Sequence, residues 1–135
     1  MAAKHVLRYL KGSSNLSITY GQDTMTLELY SDSDYASNKD RKSISAYIGM
    51  FCGAAISWQS KKQPTITLSM TEAEYMALVQ ATKESIWIQR LLLEIGRTAE
   101  NHKIVYSDNQ GSIALANNPQ YHARTKHIDV QYHFI

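Results

Sequence analysis

One stretch constrains this chain more than any other: Ser69-Met-Thr-Glu-Ala-Glu-Tyr-Met-Ala-Leu78, which opens its longest helical pattern. Apolar or small residues recur at Ala77, Ala81, Ser85, Ile88, Leu92 and Ile95, spaced by three or four, and Gly96 follows as a stop signal. This spacing predicts one long helix with one buried face. At about 100° per residue Glu74 falls on the apolar stripe, whereas Glu72 points almost the opposite way. A carboxylate carried into a core must be paired, protonated or bound to a metal. Two start signals compete, because Ser69 with Glu72 and Thr71 with Glu74 each fit a capping box. If Ser69 caps, Glu74 is free for other work; if Thr71 caps, Glu74 is structural.

The rest of the chain supplies a sheet for this helix to cover. Residues 2–11 set Val6, Tyr9 and Leu10 against Lys4, Arg8 and Lys11, a short amphipathic helix closed by Gly12-Ser-Ser-Asn. Leu16-Ser-Ile-Thr-Tyr20 alternates like a strand, and Gly21-Gln-Asp23 turns it into Met25-Thr-Leu-Glu-Leu-Tyr30, so a hairpin is expected there. Ile44–Phe51 and Ala54–Trp58 are β-rich runs separated by Cys52-Gly53, a second hairpin. After Gly96, His102–Tyr106 reads as a short strand and 109–116 as a short helix capped by Asn109. The order predicts an α/β (α+β) fold, a mixed sheet with helices packed against it.

Composition removes several classes. At 135 residues the chain fits one domain, and its 44% hydrophobic and 19% charged residues are ordinary for a globular protein. No apolar run approaches the roughly 18 residues of a membrane span, and the first twenty residues lack the apolar core of a secretory signal. The single cysteine, Cys52, excludes an internal disulfide and a cysteine-rich zinc site and fits a reducing compartment. A net charge of +2 is too small to announce nucleic-acid binding, yet the bases cluster: Lys39, Arg41 and Lys42 in one loop, Lys61 and Lys62 in another, Arg124, Lys126 and His127 in a third. His122, His127 and His133 are spaced poorly for a shared metal, and Trp58 and Trp87 read as core.

A small repeat points to chemistry. Tyr30-Ser31-Asp32 and Tyr106-Ser107-Asp108 carry the same triplet at the ends of two apolar strands. Ligands of such sheets gather outside the carboxyl ends of strands, so neighbouring strands would bring Asp32 and Asp108 together, and the long helix could add Glu74. Three such carboxylates repel one another unless a hard divalent cation, magnesium or manganese, neutralises them. That composition suits a metal-dependent nuclease or phosphotransferase; the alternative is a pair of ordinary turn aspartates.

The motifs Tyr30-Ser-Asp-Ser-Asp-Tyr-Ala36, Asp40-Arg-Lys-Ser-Ile-Ser45, Ile56-Ser-Trp-Gln-Ser-Lys-Lys-Gln63, Ser69–Ala77, Asp108-Asn109 and Arg124-Thr-Lys-His-Ile-Asp129 closely resemble, in order and over nearly the whole chain, the ribonuclease H domain of copia-type LTR retrotransposon Pol polyproteins. The resemblance implies residues 1–15 as the segment joining reverse transcriptase to ribonuclease H, and 16–135 as a ribonuclease H-like domain. It implies strands 1 to 3 antiparallel, a fourth parallel to the first, and a metal site of Asp32, Glu74 and Asp108 around two Mg2+ ions, with Mn2+ able to substitute. Asp34 shares the strand parity of Asp32, but the match favours Asp32. A fifth strand and a last helix, which carries a fourth aspartate, are expected to be absent here, leaving Asp129 as the candidate fourth carboxylate and an open sheet edge prone to self-association. Ser33, Asn109, Lys61, Lys62, Arg124 and Lys126 are the candidate substrate contacts. The implied partners are an RNA:DNA hybrid and the reverse transcriptase of the same polyprotein, with no membrane, in the cytoplasm, a virus-like particle or the nucleus. The implied activity is endonucleolytic cleavage of the RNA strand; the alternative is an inactive ribonuclease H-like binding or structural module.

Overall fold

A computed structural model describes residues 2–21, 25–97 and 103–117 of the chain. The elements are α1 (Ala2–Gly12), β1 (Leu27–Asp34), β2 (Ile44–Phe51), β3 (Ala54–Lys62), α2 (Met70–Glu94), β4 (Lys103–Tyr106) and α3 (Gln110–Asn117). The sheet order is β3-β2-β1-β4; β1, β2 and β3 are antiparallel neighbours, and β4 runs parallel to β1. The β2–β3 hairpin closes on two left-handed residues, Cys52 at φ 51° and Gly53 at φ 79°, a turn whose twist matches that of the strands.

Alternation along β1 decides which face is covered. Leu27, Leu29 and Ser31 are buried, and Leu27 and Leu29 pack with Ala81, Ile88 and Leu92 of α2. Tyr47, Phe51, Ile56 and Val105 close round this cluster. A second cluster joins Tyr75, Met76 and Val79 of α2 to Leu115 of α3. The opening of α2 is thus clamped between sheet and helix, and every residue from Glu72 to Val79 is buried. A single stripe is too narrow a description. Glu72, expected to face away, is buried as well, and its Oε2 accepts the Leu68 backbone N–H at 2.7 Å.

Both ends of α2 are chemically fixed. Ser69 is the N-cap, with φ −147° and ψ 160°, and its Oγ accepts the Glu72 N–H at 3.2 Å. That geometry decides between the two capping boxes and releases Glu74. At the other end Gly96 takes φ 71°, Gly96 N donates to Leu93 O at 3.1 Å, and Arg97 N donates to Leu92 O at 2.8 Å, the Schellman pattern. Ile95 is the C-cap, beyond the last core residue Leu92, and stays 63% exposed rather than joining the buried face.

Four further expectations change. Residues 16–20 form no strand: both edges of β1 are taken, by β2 and β4, so no place beside it remains. The segment instead crosses the β2–β3 turn, where Tyr20 Oη donates to Ala55 O at 2.8 Å and Gly21 N to Cys52 O at 3.4 Å. Lys61 and Lys62 lie on the end of β3, which runs past Trp58, and not in a loop. Trp58 and Trp87 are exposed. Trp58 follows Ser57, which reaches Glu84 of α2, and so faces the uncovered side of the sheet; Trp87 is one residue off the sheet-facing Ile88. Helix α1 has no buried residue, and no helix of the described residues is long and apolar enough to cross a membrane. Whatever follows 117, including Asp129, Arg124, Lys126 and the expected absence of a fifth strand, lies outside the described residues.

The cap assignment has a measurable consequence. Ser69→Ala should lower the unfolding free energy by about 1 kcal/mol, whereas Thr71→Ala, inside the helix, should cost distinctly less. Urea unfolding of the two variants separates them; the reverse ranking would return the cap to Thr71.

Candidate metal centre

The parallel pairing of β1 with β4 puts Tyr30 directly opposite Tyr106. Asp32 and Asp108 each lie two residues further along, at the same end of the sheet. Glu74 reaches that end from the second turn of α2. One carboxylate oxygen from each of Asp32, Glu74 and Asp108 lies within 4.8 Å of the other two. The strand-end aspartates are exposed, while Glu74 is only 4% exposed. Asp34, of the same parity as Asp32, is exposed and outside this group.

Ser33 sets the geometry of the buried member. Its Oγ donates to Glu74 Oε1 at 2.9 Å, and its backbone N–H is shared between Glu74 Oε1 at 3.2 Å and Asp32 Oδ1 at 2.8 Å. Among the described residues Glu74 Oε2 is buried and has no hydrogen-bond partner. Burial pushes the Glu74 carboxyl above its ordinary range; the Ser33 hydroxyl draws it back, and the charges of Asp32 and Asp108 raise it further. An orphaned buried oxygen flanked by two more carboxylates is a site short of positive charge. All three donors are hard oxygens, which suits Mg2+ or Mn2+ and argues against a softer metal.

The neighbours of the three acids have structural duties. Asn109 Oδ1 accepts the Ser112 N–H at 2.9 Å and so caps α3 directly after Asp108. The first turn of α3 rests on that of α2: a Cβ at Gly111 would lie 3.0 Å from the side chain of Thr71. Ser31 Oγ donates to Tyr106 O at 3.1 Å and ties β1 to β4. Lys62 is ion-paired to Asp40 at 3.2 Å, both side chains about half exposed, so the pair adds little stability. Lys61 is exposed on the edge strand.

The residues that sequence reasoning passed over are the tyrosines of the repeated triplet. Tyr30 and Tyr106 stack on the uncovered face, ring centroids 4.7 Å apart and planes 17° apart, and their hydroxyls donate to the two oxygens of Glu28 at 3.3 and 3.4 Å. With Ser31, Asp32, Ser107 and Asp108 they line an open groove of about 280 Å3. The signal was present, because a repeat of three residues at two parallel strand ends repeats the first residue as well as the third.

The raised Glu74 pKa implies a pH dependence with a definite sign. Between its ordinary value and its raised value the folded chain holds the proton more tightly than the unfolded chain, so metal-free stability falls as pH rises through that window. Glu74→Gln should raise the metal-free melting temperature at neutral pH and remove this part of the pH dependence. Thermal melts in chelator at several pH values check it; a variant less stable than the parent at neutral pH would contradict it.

No protein-family model matches the chain. Relatives are nevertheless clear. It is 47% identical over 135 residues to the retrovirus-related Pol polyprotein from transposon TNT 1-94 of Nicotiana tabacum. It is 42% and 41% identical, each over 136 residues, to those from transposons RE1 and RE2 of Arabidopsis thaliana. Each alignment takes in 99% of this chain but only 10%, 9% and 9% of the respective relative, so the chain spans about a tenth of their length. The chain is therefore similar, over almost its whole length, to one short segment of plant-transposon Pol polyproteins, which supports a Pol fragment of the copia type that its motifs resemble.

Proposed function

We propose that this chain is the ribonuclease H part of a retrotransposon Pol polyprotein, a metal-dependent endonuclease that cuts the RNA strand of RNA:DNA hybrids. The observation that carries this reading is the convergence of Asp32, Glu74 and Asp108 from three separate elements, one of them buried with an oxygen that has no partner among the described residues. The match to Pol polyproteins supplies the setting, since the hybrid is the substrate that reverse transcription leaves behind. Asp32, Glu74 and Asp108 would hold the divalent ions, two of them on the resemblance. When bound, these ions supply Lewis acidity and a water activated for in-line attack on a backbone phosphorus.

The chain's own residues prepare the site. Ser33 fixes Glu74 Oε1 with two donors, so the other oxygen keeps one direction whether or not a cation is held. Asp32 and Asp108, on the exposed side, leave the centre open to a phosphodiester. Attack by water forms a new O–P bond as the P–O3′ bond breaks, so the products end in a 5′-phosphate and a 3′-hydroxyl. Phosphate contacts by Lys61 and, outside the described residues, by Arg124 and Lys126 would make binding salt-dependent and indifferent to base sequence. The reverse transcriptase of the same polyprotein is the proposed neighbour.

Incubation with a labelled hybrid and magnesium should yield RNA fragments with 5′-phosphates, and Glu74→Gln should reduce cleavage to background while Glu72→Gln does not. RNA left intact by the parent with both magnesium and manganese would contradict the nuclease reading; intact RNA with salt-sensitive hybrid binding would leave a binding module in its place.

A further inference from the structure

Next to the carboxylates, but outside their site, lies a buried amide with an unfinished set of bonds. Gln63, just past β3, is only 3% exposed. Its Nε2 donates to Ser45 Oγ at 2.8 Å and to Ala73 O at 3.0 Å. The Ala73 carbonyl can only accept, so the amide cannot be turned over: nitrogen must face it and oxygen must face away. Among the described residues Gln63 Oε1 is then a buried acceptor with no donor. Such a group is costly unless a donor beyond the described residues completes it.

The space for that partner exists. Gln63 lines a cavity of about 250 Å3 between β3 and α2, with Ser45, Lys61, Met76 and Gln80 also in its walls. Among the described residues Lys61 has no ion-pair partner, whereas Lys62 is held by Asp40, and Lys42 donates to Pro64 O. The cavity walls thus include a glutamine whose amide oxygen has no donor, and a lysine that has no ion pair, among the described residues. It also lies in register with the metal centre: Lys61 pairs with Ser45 on β2, Ser45 with Ser33 on β1, and Ser33 holds Glu74. Two strand spacings separate Lys61 from Ser33, about 10 Å.

We infer that this cavity is a subsite for the RNA strand, in which Gln63 Oε1 accepts a hydrogen bond from a ribose 2′-hydroxyl and Lys61 meets the adjoining phosphate. The chemistry is selective, because a deoxyribose offers the phosphate but not the donor. The inference rests on the proposed function and adds to it the residues that tell RNA from DNA.

Equilibrium binding to the full chain carrying Glu74→Gln, which leaves the hybrid uncut, tests it with hybrids whose RNA strand is replaced, one position at a time, by 2′-fluoro nucleotides. Fluorine keeps the size and removes the donor. One position should bind roughly ten-fold more weakly than the all-hydroxyl hybrid. Adding Gln63→Met should weaken the all-hydroxyl hybrid by a similar factor and erase the penalty at that position. Lys61→Ala should weaken both hybrids alike and lower the salt slope by about 1. A flat fluorine scan, as expected if only a buried water serves Gln63, overturns the inference, and so does a penalty that survives Gln63→Met. If Gln63→Met fails to fold by circular dichroism, the scan on the Gln63 protein decides alone. Absence of any hybrid binding by that protein strikes the proposed function itself, whereas binding with a flat scan strikes only this subsite.

Discussion

The burial of the Glu74 carboxylate against the end of β1 is the constraint on which the rest of this structure depends. A buried acid needs its position defined by donors, and Ser33 provides two of them to one oxygen while the other has none among the described residues. The first turns of α2 are held at several points. Ser69 fixes where the helix starts, Glu72 binds the chain leading into it, and Gln63 holds the carbonyl of Ala73 beside Glu74. From the far side α3 presses Leu115 onto Tyr75, Met76 and Val79.

The aspartates depend on a different device, the parallel pairing of β1 with β4. Ser31 ties its strand to the Tyr106 carbonyl, the two tyrosines stack across the join, and Glu28 receives both their hydroxyls. This short ladder brings Asp108 level with Asp32. Immediately beyond Asp108 the Asn109 cap and the close approach of Gly111 to Thr71 turn the chain back onto α2. Acidic groups that repel one another are therefore imposed on a common point by elements held through bonds of their own. A divalent cation would relieve that repulsion, and its binding free energy would then be expressed as stability of the site.

Much of this was legible before any coordinates. The period of α2, its Gly96 stop and the inward aim of Glu74 follow from spacing alone, and the repeated Tyr-Ser-Asp triplet marks two strand ends that the fold makes neighbours. The choice between Ser69 and Thr71 was not legible, because both fit one local rule and only the backbone angles of Ser69 separate them. Residues 16–20 alternate like a strand, yet pairing is a property of available edges, and β1 has none to offer. Trp58 and Trp87 were misjudged on residue type, since the face each occupies is set by its neighbours Ser57 and Ile88. Gln63 closes the motif that begins at Ile56 but gave no signal of its own role. A lone glutamine between a strand and a loop has no periodicity, and its unfinished hydrogen bonding exists only where three chain segments meet.

If the three carboxylates form a cation site, anomalous diffraction from crystals grown with manganese will reveal it. A peak is expected bounded by Asp32, Glu74 and Asp108, at oxygen distances near the roughly 2.0–2.2 Å typical of such hard cations, with Glu74 Oε2 among the ligands. Carboxylates free of anomalous density at millimolar manganese, with Glu74 Oε2 turned to a protein donor, would contradict it.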